Sequence, residues 1–177
     1  MQIMNMQVVE IYMLYILGLV NYIFVALATY KVAKVENVNN PWLAWIPIAN
    51  LYLLIKIADG KMYFMVLAIA SFFGNALSSF GTGIVSIIGT LLNLAWLIYS
   101  IILYNRLCNK YDVNIALFIA GVIAPLFKLV QPLAGMYIPL VAVSLYGHWK
   151  LYINASKGPS TKLKIESKVI FSSKKKK

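Results

Sequence analysis

His148 is the only histidine in the chain, and Ser144 stands one helical turn before it. A hydroxyl and an imidazole at that spacing could form part of a nucleophilic pair, with the ring taking the serine proton. That chemistry also needs an orienting group and oxyanion donors. No Gly-x-Ser-x-Gly element surrounds Ser144. Trp149 and Lys150 follow His148, the company of a polar-aromatic belt, so the sequence places His148 at a membrane surface. Cys108 lies between Arg106 and Lys110. Those charges would lower a thiol pKa, but a lone cysteine at a helix end reads as a small packing residue. A single cysteine allows no internal disulfide. No cluster of His and Cys offers a metal site, and Gly81-x-Gly83 lacks the lysine of a phosphate loop.

Five acidic residues are present: Glu10, Glu36, Asp59, Asp112 and Glu166. None falls inside a long apolar run, whereas proton- or ion-coupled carriers place carboxylates at membrane depth. Asp59 and Asp112 read as helix-end residues balanced by Lys56, Lys61 and Lys110. Asn21, Asn75 and Asn93 do fall within apolar runs. An amide in hydrocarbon seeks a partner on another helix, contributing about 0.6–2 kcal/mol. Gly74 and Gly89 would let helices approach beside them. The other use of these residues, with Tyr99, is to line a path for a small neutral solute.

The elements that must hold these residues are helices in a membrane. Of 177 residues, 62% are hydrophobic and 12% charged. Soluble domains carry roughly 25% charge, so this apolar surplus needs lipid to face. The expected fold is all-α, an integral membrane bundle of about five transmembrane helices and one interfacial or re-entrant helix. Spans are expected near residues 11–30, 62–80, 84–104, 114–130 and 136–152, each about long enough for the roughly 30 Å hydrocarbon layer. Glycines at 81 and 83 break the second from the third. Lys128, Pro132 and Gly135 mark the last break. The first run is too long for a signal peptide and has no basic start or small-residue cleavage site, so it is expected to be retained.

Residues 42–57 are apolar but short for a span. Pro47 suits the first turn of a helix of about 11 residues. Trp42, Trp45 and Tyr52, with Trp149 further on, are expected as interfacial anchors. If residues 41–57 did span, Lys31 and Lys34 would lie outside and the N-terminus inside. Residues 1–153 thus form the transmembrane domain and 154–177 a basic tail. The tail holds Lys162, Lys164, Lys168, Lys174, Lys175, Lys176 and Lys177, expected to contact anionic lipid at about 1 kcal/mol per lysine.

Nine of the 16 Lys and Arg residues lie from Lys150 onward, and the others sit mostly between apolar runs. With five spans the basic segments share one side. That predicts an N-terminus outside and a C-terminus in the cytoplasm. The net charge of +11 is therefore membrane-protein charge, and no nucleic-acid partner is expected.

The segment PWLAWIPIANLYLLIKIADGK carries a pattern W-x-x-x-I-P-x-x-N-x-Y followed by K-I-A-x-G-K, at Trp42, Ile46, Pro47, Asn50, Tyr52, Lys56, Ile57, Ala58, Gly60 and Lys61. It resembles an uncharacterised family of small bacterial multi-pass membrane proteins, a domain of unknown function sometimes fused to type I signal peptidase. The stretch NRLCNKYD resembles that family's L-x-x-x-F-G-K turn, while Lys128 and Gln131-Pro132 depart from its ending. The resemblance implies a helical bundle in the bacterial cytoplasmic (inner) membrane and no assigned activity. The expected function is a non-enzymatic accessory or partner-binding subunit, without metal or cofactor, joined to a membrane-protein partner or to its own copies. The alternative is a small-solute carrier or the substrate-binding membrane component of a multi-subunit transporter. An intramembrane enzyme lacks motifs to support it.

Overall fold

Long apolar runs with few breakers satisfy their backbone groups within one segment, and they do so here as helices. The computed structural model describes residues 2–80, 82–127 and 137–159, and among them no strand occurs. The helices are α1 Gln2–Val35, α2 Pro47–Ile57, α3 Met65–Phe80, α4 Ile84–Tyr111, α5 Ala116–Phe127 and α6 Tyr137–Ser156. Short 3-10 turns at Pro41–Trp45 and Met62–Phe64 precede α2 and α3. Two stretches are long and apolar enough to cross a bilayer, Tyr15–Val35 of α1 and the whole of α4. The break with Lys128, Pro132 and Gly135 lies outside the described residues, as does the tail from residue 160.

Three helices end on the same device. Asn37, Asp59 and Asp112 follow α1, α2 and α4 with φ of 54°, 51° and 53°. The next amide then reaches back five residues: Val38 N to Ala33 O at 2.9 Å, Gly60 N to Ile55 O at 2.7 Å, Val113 N to Cys108 O at 2.9 Å. This Schellman closure needs a left-handed residue, which Asn and Asp tolerate better than other side-chain-bearing residues. The basic stretch Arg106–Lys110, expected as a loop after a span ending at 104, is therefore the last turns of α4. Arg, Leu and Lys continue a helix readily, and the stop is Asp112.

All three ends gather at one pole of the molecule. Lys110 Nζ donates to Glu36 Oε2 at 2.7 Å and to Asp59 Oδ2 at 3.4 Å. Tyr111 Oη donates to Glu36 Oε1 at 2.6 Å. Arg106 donates to the carbonyl of Asp59 at 2.7 Å, and Asn154 of α6 to that of Tyr111 at 2.9 Å. Beneath this polar layer sits the main core, including Val32 of α1, Leu53 and Ile55 of α2, Leu103 and Leu107 of α4 and Leu151 of α6. Helices α1, α4 and α6 thus run toward this pole, and α3 and α5 away from it.

Residues 41–57 form a hairpin that leaves the pole and returns to it. The turn Pro41–Trp45 climbs along α1 until Tyr22 Oη donates to Trp45 O at 2.7 Å. Tyr22 lies about 20 Å along the axis from the end of α1, at 1.5 Å per residue. Helix α2 then returns to the pole, where Ile57 O meets Lys110 Nζ at 3.5 Å. Asn50 closes the top of the hairpin, donating to Ala44 O at 2.6 Å while buried. The other side of α2 fills the core with Leu53, Leu54, Ile55 and Ile57.

Away from the pole, α3 and α4 pair with each other and α6 lies between α1 and α5. Side chains there point outward: Leu19 is 62% exposed, Leu91 58% and Ile84 75%.

Candidate functional site

Helical spacing puts Asn21 and Val25 on one face of α1, Phe118, Gly121 and Val122 on one face of α5, and Val141, Ser144 and His148 on one face of α6. These faces and Tyr104 of α4 line a partly open cleft of about 170 Å³. Small residues let its walls close. A Cβ on Gly121 would collide with the Ser144 side chain, and one on Gly147 would come within 2.8 Å of Leu117 Cβ. Glycine and serine at such positions allow helix axes to approach.

His148 faces this cleft and is buried. Its ring lies inside the protein although Trp149 and Lys150 follow it in the sequence. The 100° step between helical neighbours turns Trp149 out, 45% exposed, and His148 in. His148 Nδ1 donates to the Ser144 carbonyl at 2.9 Å, because a carbonyl can only accept. In the neutral ring Nε2 is then an acceptor, and Tyr104 Oη lies 3.3 Å from it. Tyr104 stacks on Phe118 at 4.8 Å between centroids, and both rings meet the imidazole edge-on, at 5.7 and 4.9 Å. The result is an immobilised ring. The carboxylates Glu36, Asp59 and Asp112 mark the ends of α1, α2 and α4, so none of them orients His148. Among the described residues no three His, Cys, Asp or Glu side chains gather as metal ligands.

The cleft's other polar member is Asn21. Its Oδ1 is buried and has no hydrogen-bond partner among the described residues. Asn93 lies elsewhere, against α3: a Cβ on Gly74 would stand 3.1 Å from Asn93 Oδ1 and 3.0 Å from the Gly89 carbonyl. The Asn75 side chain lies outside the described residues. Tyr99 is buried near the pole, stacked on Phe64 at 4.1 Å, with Trp96 at 6.0 Å. Of the residues considered for a solute path, Asn21, Asn93 and Tyr99 therefore do not converge. Asn21 joins Tyr104, Ser144 and His148 instead.

Of the anchors, Trp42 and Trp45 are 55% and 44% exposed, and Tyr52 accepts a hydrogen bond from Lys56 Nζ at 3.3 Å. Trp149 stacks on Tyr152, which Lys31 of α1 overlies at 5.7 Å. Lys162, Lys164, Lys168 and Lys174 to Lys177 lie outside the described residues. Sequence reasoning missed Tyr104 and the role of Glu36. Tyr104 pairs with a histidine 44 positions away, and no local pattern marks such a partner. Comparison with known proteins finds no matching family model, curated protein or solved structure.

Proposed function

We propose that this chain is a non-enzymatic multi-pass protein of the bacterial cytoplasmic membrane, acting as an accessory or partner-binding subunit of a membrane complex. The observation that carries the reading is the exposure of its apolar helices. In the most apolar windows of α1 and α4, 28% and 17% of residues are buried within the protein. A soluble core helix of that composition would be buried nearly all round. Lipid or another membrane protein must cover the remainder. On this reading α1, α3, α4, α5 and α6 cross the bilayer, the polar pole faces the cytoplasm, and the 41–57 hairpin re-enters from that side. Irregular backbone at such depth is tolerated where protein buries it, as Asn50 and Ala44 are buried here. The resemblance of residues 41–61 to the uncharacterised bacterial family agrees with this placement. The basic tail would add contacts to anionic lipid.

The test is purification of the tagged full chain from native membranes in a mild detergent. The expected result is co-elution with a membrane protein at fixed stoichiometry, or a defined homo-oligomer. A monodisperse monomer recovered alone refutes the subunit role. The cleft favours a second reading, a small-solute carrier. That reading expects uptake of a labelled solute by liposomes containing the protein alone.

A further inference from the structure

The cleft between α1, α4, α5 and α6 has a chemistry of its own, independent of the partner-binding role. Its walls are mainly apolar, from Val25, Phe118, Val122 and Val141. Its polar groups are neutral and largely committed to one another. His148 is tied to the Ser144 carbonyl at 2.9 Å and Tyr104 is within 3.3 Å of its other nitrogen. Asn21 Oδ1 remains, buried and without a partner among the described residues. A buried acceptor with nothing to accept keeps its desolvation penalty uncompensated, so a donor arriving there is rewarded. The volume of about 170 Å³ exceeds the 150 Å³ of an apolar cavity that holds a benzene ring. Among the described residues no carboxylate lines the cleft, which disfavours a cation at this depth.

We propose that this cleft is a binding site for a small neutral amphiphile, of about six to eight heavy atoms, whose hydroxyl or amide N–H donates to Asn21 Oδ1 and whose apolar body lies against Phe118, Val122 and Val25. Such molecules partition into the bilayer and reach the cleft through its open side. Binding rests on the membrane placement proposed above but requires neither transport nor a partner protein, so its failure is distinguishable from failure of the subunit or carrier role.

The probes are 4-fluorophenol and fluorobenzene, which share the ring and differ in the donor. Binding to the full-length protein in lipid nanodiscs is read by fluorine NMR, with protein-free nanodiscs as the partition baseline. The expected result is saturable binding of 4-fluorophenol, about tenfold tighter than fluorobenzene, the worth of one net hydrogen bond in an apolar site. Asn21→Leu should abolish the preference and leave fluorobenzene binding in place. Val122→Phe, which fills the body of the cleft and leaves Asn21 untouched, should remove both probes. Signals no different from protein-free nanodiscs would overturn the proposal. So would a preference that survives Asn21→Leu, or binding that survives Val122→Phe in a monodisperse, helical protein.

Discussion

At the residue scale, single polar atoms decide where the helices meet. Glu36 receives both Lys110 and Tyr111 at the pole, and its side chain is 16% exposed. Partial shielding makes this pair worth more than a solvated one, because water screens it less. Glu36→Gln keeps an acceptor for Tyr111 but removes the carboxylate charge that pairs with Lys110. Its expected cost is about 1–2 kcal/mol in reversible unfolding in mixed micelles. An unchanged midpoint would mean that the pair is incidental. Asp112 makes a different prediction. Its φ of 53° suits glycine better than alanine, so Asp112→Gly should be near neutral and Asp112→Ala should cost about 1 kcal/mol. The same unfolding assay separates the two. Tyr104→Phe removes only the hydroxyl beside His148 Nε2 and is expected to cost about 0.5–1.5 kcal/mol while the Phe118 stacking persists.

At the element scale, glycine placement controls which helices pair. Gly121 faces Ser144, and Gly74 faces the Gly89 backbone. The obstacle at Gly74 is a carbonyl that cannot swing aside, with the Asn93 amide beside it. Gly74→Val is therefore expected to push α3 from α4 and cost about 1–3 kcal/mol, read as lost resistance to denaturing detergent. The 41–57 hairpin is closed at its top by a single amide. Asn50→Ala would leave Ala44 O buried without its donor. The expected result is faster deuterium exchange over residues 41–57, with α6 unaffected. This hairpin was partly legible beforehand. Pro47 marks where α2 begins. Its climb beside α1 was not legible, because it rests on Tyr22 meeting Trp45, 23 positions apart.

At the scale of the whole molecule, the ion pairs and the main core of the described residues coincide at one pole, and apolar exposure dominates elsewhere. On the membrane placement proposed above, the positive-inside rule puts that pole in the cytoplasm. In a Cys108→Ser background, Thr82→Cys should react with an impermeant maleimide from outside intact cells. Ser156→Cys, at the pole, should react only after the membrane is opened. Reversed labelling would overturn the orientation, and labelling of both from outside would overturn the odd number of crossings.

Sequence alone determined that this chain is helical and where α2 and α4 begin. Backbone groups in long apolar segments must bond within their own segment, and Pro47 sets a local φ with no help from distant residues. The separation of apolar runs from lysines was equally local. The tertiary structure alone decided which faces meet. His148 turned inward because Tyr104, Phe118 and Gly121 lie on faces that pack against α6. Asn21, Asn93 and Tyr99 were parted for the same reason. A helix presents several faces of similar hydrophobicity when lipid surrounds it, so composition cannot rank them. Contact between distant segments makes that choice, through close approach at glycines and hydrogen bonds between side chains far apart in the chain.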